Sequence, residues 1–335
     1  MKLSSPDTRW AFTSVIAAAI KYGPTRVNRI ASDLDIPVET CRYYLKKFHE
    51  AGFRFLPVVD YRAIGLSPHM VFVRFSRQIN ESIRNTVVNW LDRVYTVYRA
   101  SLQNSGEFFF QTVPPEDDKD NYIRLFEFLQ DAGVFENCLV EEIVDGYYKP
   151  EWISMYSFDQ TRWDRKMQLI VPTIPYSETN ARTFFDKLDL AILEELELNP
   201  RIKMKEISKN CNVSPQLISY HREKHVEAGR LVTGYVPVRQ THHEDVKYML
   251  VSLPNSTNEF YEDFLHSVSI SRKRALVRLH MPPWLEPAEK AEMHIINPYE
   301  VRRYAVPVEL QLEIGWTGVA EFIAEAEKML KTIRV

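Results

Sequence analysis

The sequence predicts an α+β protein in which two winged helix-turn-helix domains alternate with two ferredoxin-like domains. The first observation is an internal repeat: residues 27–52 align with residues 204–229 at an offset of 177 positions, which matches Tyr43 with Tyr220. Each copy has a short helical segment, a turn, a longer helical segment and a closing Gly, which is the layout of a helix-turn-helix. The second observation is the strand-like alternation that begins at residue 69, after the first copy.

Composition indicates a globular protein of more than one domain. The chain has 335 residues, of which 45% are hydrophobic and 26% charged, enough for two or more cores. Its three cysteines, Cys41, Cys138 and Cys211, are far apart and form no CxxC pair, so neither a disulfide framework nor a cysteine zinc site is indicated. No stretch reaches the roughly 18 apolar residues of a membrane span. We therefore expect a cytoplasmic protein that binds no membrane.

The distribution of charge favours nucleic-acid binding more than the total does. The net charge is −3, but residues 1–62 contain 10 Lys+Arg against 6 Asp+Glu, a balance of +4. The balance is −5 for residues 63–176, +1 for 177–240 and −3 for 241–335. The positive charge thus accompanies the helix-turn-helix copies, where a local basic surface can bind DNA.

The first copy predicts a recognition helix over residues 38–50. Helices are expected over residues 9–22 and 27–33, and Pro37 sets the turn before the third helix. In that third helix, Cys41, Leu45 and Phe48 recur at i, i+4 and i+7 and define a buried stripe. The extended segment 53–60 occupies the place of a wing.

The opposite side of this helix is polar and is the main candidate for contact with double-stranded DNA. Arg42 and Lys46 can meet base edges or phosphates in the major groove, and Tyr43 can reach a phosphate or a thymine methyl group. A solvated outer face of an ordinary amphipathic helix is the alternative interpretation. The candidate residues of this copy are Arg29, Glu39, Thr40, Arg42, Tyr43, Lys46, Lys47 and Arg54.

The second copy departs from the first. Arg222 and His225 occupy the places of Leu45 and Phe48, so the helix must rotate or Arg222 must find a carboxylate partner. Ser214 and Pro215 suit an N-cap and first turn, but the outer face carries no net positive charge. We therefore expect the first copy to supply most sequence discrimination, with weaker contacts or docking from the second. Its candidate DNA-binding residues are Lys205, Gln216, Ser219, Tyr220, Lys224 and Arg230.

A strand-helix-strand-strand-helix-strand order follows the first copy and predicts a ferredoxin-like unit. Its expected segments are 69–76, 80–94, 95–103, 107–113, 119–132 and 137–147. In the second half, residues 309–316 alternate like a strand and 318–331 form an amphipathic helix. The predicted domains are 1–62, 66–150, 183–240 and 244–335, with a packed linker over 151–182.

These features together resemble the leucine-responsive (Lrp/AsnC, feast/famine) transcription regulators. The resemblance rests on EAGF at the end of the first copy, VVDYRAIGL at 58–66 and MVFVRF at the start of the ferredoxin-like unit. In the second copy, FDKLDLAILEELELNP at 185–200 and NVSPQLIS at 212–219 resemble the opening of that family. The resemblance implies a tandem of two such units, DNA binding by the recognition helices, pairing through ferredoxin-like (RAM-type) sheets and, in many members, an amino-acid effector.

One departure puts the effector in doubt. The family usually carries a Gly-x-x-Asp turn between the middle strands of its sensing unit, whereas this chain has Ser105-Gly106-Glu107-Phe108 there. Pairing has two alternatives: residues 69–147 and 246–316 can pair within one chain as a pseudo-dimer, or two chains can form a homodimer with four helix-turn-helix units.

Two other function classes stay open at this point. HExxH, GxSxG, Walker and GxGxxG motifs are absent, so we expect no enzyme, no cofactor and no metal, and we interpret His242-His243-Glu244-Asp245 as a solvated loop. The enzymatic alternative is a siroheme decarboxylase, since those enzymes resemble Lrp/AsnC proteins, and the middle-strand residues Val97-Tyr98-Arg99 then lie where its chemistry would occur. The remaining alternative is a protein-binding winged-helix scaffold without DNA specificity.

Overall fold

The structure is a computed structural model that describes residues 6–92, 95–102, 106–158, 162–164, 166, 169–177, 184–239, 246–252, 262–282, 284–285, 293–296 and 298–303. Within these ranges the chain combines helix-turn-helix units with antiparallel sheets, which confirms the predicted α+β class. No helix of the described part is long and apolar enough to cross a membrane.

The first half contains one helix-turn-helix followed by a ferredoxin-like unit. Its βαββαβ order agrees with the sequence prediction, and helices α4 and α5 pack on one face of the sheet around Val87, Tyr122 and Phe126. The elements are α1 (Pro6–Tyr22), α2 (Val27–Asp33), α3 (Val38–Glu50), β1 (Phe53–Val59), β2 (His69–Phe75), α4 (Glu81–Leu91), β3 (Thr96–Leu102), β4 (Glu107–Thr112), α5 (Lys119–Asp131), β5 (Phe135–Glu142) and β6 (Asp145–Tyr148).

The second half repeats the helix-turn-helix and adds a second sheet. A π-helical turn, Arg222–Glu227, continues α8 and replaces the second part of the expected recognition helix. The predicted strand 309–316 and helix 318–331 lie outside the described residues. The elements are β7 (Tyr156–Ser157), β8 (Arg162–Trp163), β9 (Ile174–Pro175), α6 (Lys187–Leu198), α7 (Met204–Asn210), α8 (Pro215–His221), β10 (Val232–Arg239), β11 (Val246–Ser252), β12 (Leu265–Ile270), β13 (Arg274–His280), β14 (Met293–Ile296) and β15 (Pro298–Arg303).

The strands that follow the two helix-turn-helix units pair with each other. β1 and β10 run antiparallel, with Arg54 opposite Val238. The sequence predicts a wing at β1, and the structure places this strand in a ribbon between the two units rather than in a separate wing. One hydrophobic core consequently runs through both units and joins Phe48 of the first to Ile218 of the second.

The two larger sheets exchange strands. One sheet has the order β15-β3-β4-β2-β5 and the other β14-β11-β13-β12-β6-β9. Strand β6 continues from β5 and pairs with β12 of the second half, while β15 follows β14 and pairs with β3 of the first half. Each sheet is therefore extended by a strand from the other half of the chain.

Apolar side chains of the segment between the halves are buried. Trp152, Tyr156 and Phe158 form an aromatic cluster with Phe53 at centroid distances of 5.0–5.8 Å. Phe158 also lies 5.3 Å from Phe48 of α3. This segment, predicted as a packed linker, thus supports the first helix-turn-helix from behind.

Candidate functional site

Helix α3 presents a polar face to solvent and buries its opposite face. The predicted stripe holds for Cys41 and Phe48, which are buried, but Tyr44 is buried beside them and Leu45 is only half-buried. Burial raises the pKa of the Cys41 thiol to about 11, so this cysteine is a core residue rather than a reactive group. The exposed face consists of Glu39, Arg42, Tyr43, Lys46 and Lys47.

Aromatic packing holds α3 in place. The Phe48 ring stacks on Phe55 at 4.8 Å, and Tyr44 meets Phe12 of α1 edge-on at 5.6 Å. A fully buried aromatic side chain stabilises the fold by about 1.5–3 kcal/mol. The exposed side chains therefore project from a rigid helix, as a nucleic-acid interface requires.

The cations of this face make ion pairs at the surface, and the Lys47 ammonium also lies 5.8 Å from the centre of the Tyr43 ring. Arg42 pairs with Glu39, and Glu50 lies 3.7 Å from the Lys46 ammonium and 3.3 Å from that of Lys47. Such exposed pairs contribute about 0–1 kcal/mol each. A phosphate or a base edge can therefore replace the carboxylate at little cost.

The remaining predicted residues of the first unit lie in different places. Arg29 is exposed on α2 with its guanidinium 4.4 Å from the Tyr22 ring, and Thr40 is half-buried at the start of α3. Arg54 lies apart from them, because β1 directs Phe53 and Phe55 into the core and Arg54 toward an internal cavity. We therefore leave Arg54 out of the proposed DNA interface.

The predicted residues of the second unit are also exposed, except for Ser219, which is half-buried. The Ser214 hydroxyl caps α8 by accepting from the Leu217 amide at 3.2 Å, with Pro215 in the first turn. Tyr220 is 53% exposed. The other exposed candidates are Lys205, Gln216, Lys224 and Arg230.

Arg222 finds the carboxylate that its position requires. Its side chain is buried, and its Nε donates to Glu227 at 3.0 Å while an Nη donates to Thr25 of the first unit at 2.7 Å. The π-helical turn brings Arg222 and Glu227, five residues apart, onto the same side. Of the two expected alternatives, the structure thus shows the carboxylate partner, and the helix changes its winding instead of rotating.

The acidic residues of this turn, Glu223 and Glu227, form ion pairs with the first unit. Arg26 donates to Glu227 at 2.5 Å and to Glu223 at 3.2 Å. Burial opposes the charge of Arg26, but these two carboxylates outweigh burial and raise the pKa of its guanidinium. A groove of about 570 Å³ runs between the units here, and Arg29 and Arg42 also line it.

A second candidate site is a cavity of about 230 Å³ between the sheets and the β1–β10 ribbon. Both halves of the chain line it. Arg54 comes from β1, Tyr98 from β3, Tyr248 from β11 and Arg278 from β13. The cavity therefore exists only because the two halves pack together.

Two arginines and several tyrosines line this cavity. The Arg278 guanidinium lies 5.6 Å from the Tyr98 ring and 5.9 Å from the Tyr248 ring, and the two tyrosine hydroxyls are hydrogen-bonded to each other. The buried Nε atoms of Arg54 and Arg278 have no hydrogen-bond acceptor among the described residues. Burial lowers the pKa of Arg54. A carboxylate in the cavity could accept a hydrogen bond from either guanidinium group.

Sequence reasoning found only part of this cavity. Of the segment Val97-Tyr98-Arg99, the first two residues line it, whereas Arg99 is buried in an ion pair with Asp92 at 2.5 Å. Arg278 and Tyr248 were missed. Arg278 interrupts the apolar run of β13, a signal for a polar group on a buried strand face.

Comparison with known proteins bears on the second helix-turn-helix and on the overall fold. A family model described as "Winged helix-turn-helix DNA-binding" matches residues 185–230. The siroheme decarboxylase NirDL has the same fold, with a TM-score of 0.54 and 12% identity over 94% of this chain and 99% of that one. Its co-complex with an iron-uroporphyrin III analogue gives 0.52 and 11% over 93% and 99%. Escherichia coli AsnC is 23% identical over 29% of this chain and 73% of its own, with a TM-score of 0.22. No curated protein sequence matches the chain.

The expectation that the protein is not an enzyme is wrong. The likeness to NirDL covers 94% of the chain and includes its combination of helix-turn-helix units and sheets, and NirDL is a decarboxylase. The sequence argument relied on the absence of short catalytic motifs, and such an absence does not exclude catalysis, because function depends on the site and not on the fold or a short motif.

Proposed function

We propose that this chain is a sequence-specific, double-stranded DNA-binding transcription regulator of Lrp/AsnC type, in which α3 enters the major groove. The observation that carries the proposal is the rigidly packed α3 with Arg42, Tyr43 and Lys46 exposed along one side. Arg42 suits a bidentate contact with guanine, and Lys46 and Lys47 suit phosphates. Such a protein acts in the cytoplasm, on the nucleoid.

The exchanged strands support a tandem of two regulator units that form an intramolecular pseudo-dimer. The β6–β12 and β15–β3 pairings relate the halves reciprocally, as an isologous interface relates two subunits. The second helix-turn-helix contributes a weaker DNA contact, since its outer face has no net positive charge and Arg222 is buried. A homodimer of the whole chain would then present four helix-turn-helix units.

The cavity is suited to a small carboxylate effector, such as an amino acid. Its volume of about 230 Å³ lies below the roughly 300–1,000 Å³ of drug-sized ligand sites. Arg54 and Arg278 would bind the carboxylate, and the tyrosine hydroxyls would orient the remainder. Ligand bound there contacts both halves and can change the angle between them.

Genomic footprinting of the tagged protein tests the DNA-binding proposal. We expect occupied sites that contain half-sites about 10 base pairs apart, one helical turn. In titrations of duplex DNA, affinity should fall steeply with salt because phosphate contacts release counterions. A flat salt response, or no binding at low salt, would overturn the proposal in favour of a protein-binding scaffold.

A second candidate function is modification of a tetrapyrrole carboxylate, favoured by the fold shared with NirDL and by the arginines of the cavity. Siroheme and iron-uroporphyrin carry carboxylates that Arg54 and Arg278 could bind. A tetrapyrrole is larger than the cavity, so the sheets would have to separate to admit it. Titration with iron-uroporphyrin, followed by absorption, should then show a spectral change that Arg278→Met abolishes, and incubation with siroheme should release CO₂. An unchanged spectrum with no CO₂ excludes this candidate.

A further inference from the structure

A cluster of two aspartates and two histidines lies inside the second helix-turn-helix, away from both sites described above. Asp186, Asp189, His221 and His225 each direct one nitrogen or oxygen atom into a common space, and these atoms all lie within 4.8 Å of one another. Asp189 is completely buried and His221 is 7% exposed. Asp186 and His225 are partly exposed at the edge of the cluster. Carboxylate and imidazole groups that converge in this way are typical of metal centres.

Local structure explains how the four residues meet. Asp186 is the N-cap of α6, and Asp189, the third residue of the helix, completes the capping box, so both carboxylates lie at the start of that helix. His221 ends α8, and His225 lies four residues later in the π-helical turn. The two imidazoles therefore share one face, and their centroids are 4.6 Å apart.

The distances agree with those between ligands of one ion. The Nδ1 atoms of His221 and His225 each lie 2.9 Å from an Asp189 oxygen, and His221 Nδ1 lies 3.7 Å from Asp186. Bonds of about 2.0–2.1 Å around tetrahedral Zn²⁺ place neighbouring ligand atoms about 3.3 Å apart. Small movements of the side chains would thus be enough for an ion to enter between them.

From this geometry we propose that the second helix-turn-helix binds one divalent transition-metal ion, with Zn²⁺ as the preferred ion. Imidazole nitrogen together with carboxylate oxygen suits Zn²⁺ and its first-row neighbours, whereas Ca²⁺ and Mg²⁺ favour oxygen ligands alone. The ion would connect the start of α6 to the π-helical turn. It would thereby fix the segment that carries Tyr220 and Lys224.

The first unit provides an internal comparison, because it lacks this ligand set. At the offset of 177, the residues that correspond to the four ligands are Arg9, Phe12, Tyr44 and Phe48. Phe12 and Tyr44 are in edge-on contact there, as parts of an ordinary aromatic core. The metal site thus replaces hydrophobic packing at the same place in the second unit.

Metal titration of the full-length chain tests the proposal. After dialysis against a chelator, the protein is titrated with Co²⁺, followed by visible absorption, and with Zn²⁺, followed by calorimetry. We expect one ion per chain, a tetrahedral Co²⁺ spectrum and a higher melting temperature with Zn²⁺. The readout does not involve DNA or effector, so failure here would leave the proposed function standing.

Variants identify the site. The double variant His221→Tyr/His225→Phe introduces the residues of the first unit, and we expect its affinity for Zn²⁺ to fall by at least roughly 100-fold. If circular dichroism shows that the double variant does not fold, the affinity for Zn²⁺ is measured with His225→Phe alone. His49→Ala, which removes an exposed histidine of α3, is the matched control and should bind like the unchanged protein. Absence of stoichiometric binding, or equal binding by a folded His225→Phe variant, would overturn the proposal and leave Asp189 as a hydrogen-bond acceptor for two histidines.

Discussion

The two helix-turn-helix units share one backbone fold but differ in the side chains of their cores. In the first unit, Tyr44 and Phe48 pack α3 against an aromatic core, and the basic face is exposed. In the second, Arg222 and His221 occupy buried positions, and the acidic residues of the turn pair with Arg26 of the first unit. The helix-turn-helix fold alone therefore does not determine whether a unit binds DNA. The charge of its exposed side chains, and the residues with which they pair, decide it.

The largest expected effect concerns DNA. We expect Arg42→Ala with Lys46→Ala to weaken operator binding by at least about 30-fold, since each specific contact contributes about 1–3 kcal/mol. Gln216→Ala with Lys224→Ala should weaken it by less than about 3-fold. Filter-binding or fluorescence titrations at fixed salt measure both. Equal losses would show that the units bind DNA alike.

The next effect concerns the junction of the units. Gly23 has φ +85°, and a Cβ atom there would lie 2.6 Å from the Tyr235 ring of β10. Gly23→Ala should lower the free energy of unfolding by about 2–3 kcal/mol. Gly52, with φ +84° and no atom within 4 Å of a Cβ position, is the control, and Gly52→Ala should cost about 1 kcal/mol from backbone strain alone. Urea denaturation distinguishes the two, and equal losses would rule out a steric contribution at the junction.

A smaller effect is expected at Arg222. Arg222→Ala removes the hydrogen bonds to Glu227 and Thr25 and should cost about 1–3 kcal/mol of unfolding free energy. Arg222→Leu introduces the residue that the first unit has at this position and should cost less, because it restores apolar contacts and Glu227 keeps its bond to Arg26. Thermal denaturation of both variants gives the comparison. A larger loss for Leu than for Ala would show that this position does not accept an apolar side chain of that size.

The smallest effect is a difference in pH dependence. His69 of β2 is buried, and burial lowers the pKa of its imidazole below the usual 6.5. The unfolded chain then binds the proton more tightly than the folded chain does. The folded state therefore has its full stability above pH 6.5 and loses part of it as the pH falls through the folded-state pKa. Val246 occupies the corresponding position of the second half, and His69→Val should therefore flatten the decline in melting temperature between pH 7 and pH 5. An unchanged slope would place the titrating group elsewhere.

Most of the fold could be read from local sequence patterns. Periodicity located the helices and strands, because each element buries one face, and the 177-residue offset revealed the repeated unit. Because Arg222 takes the place of the apolar Leu45, its need for a carboxylate partner could also be predicted. Alignment of the two units identified Arg222 as a polar residue at a buried position, and burial is the reason that it needs a partner.

The ligand sites could not be read in the same way. The cavity joins Arg54, Tyr98 and Arg278, which are far apart in sequence and meet only through the packing of both halves. The spacing of His221 and His225 was visible, but their aspartate partners lie on another helix, more than thirty positions earlier. Long-range packing, which leaves no periodic signal, decides these contacts.

The reciprocal strands have a consequence for synthesis on the ribosome. The sheet of the first half receives its edge strand β15 only after residues 298–303 have been made, so the edge at β3 must wait through most of translation. An unpaired edge can recruit other chains. A nascent chain stalled after the second helix-turn-helix should consequently aggregate, and supplying the missing C-terminal part as a separate polypeptide should rescue it.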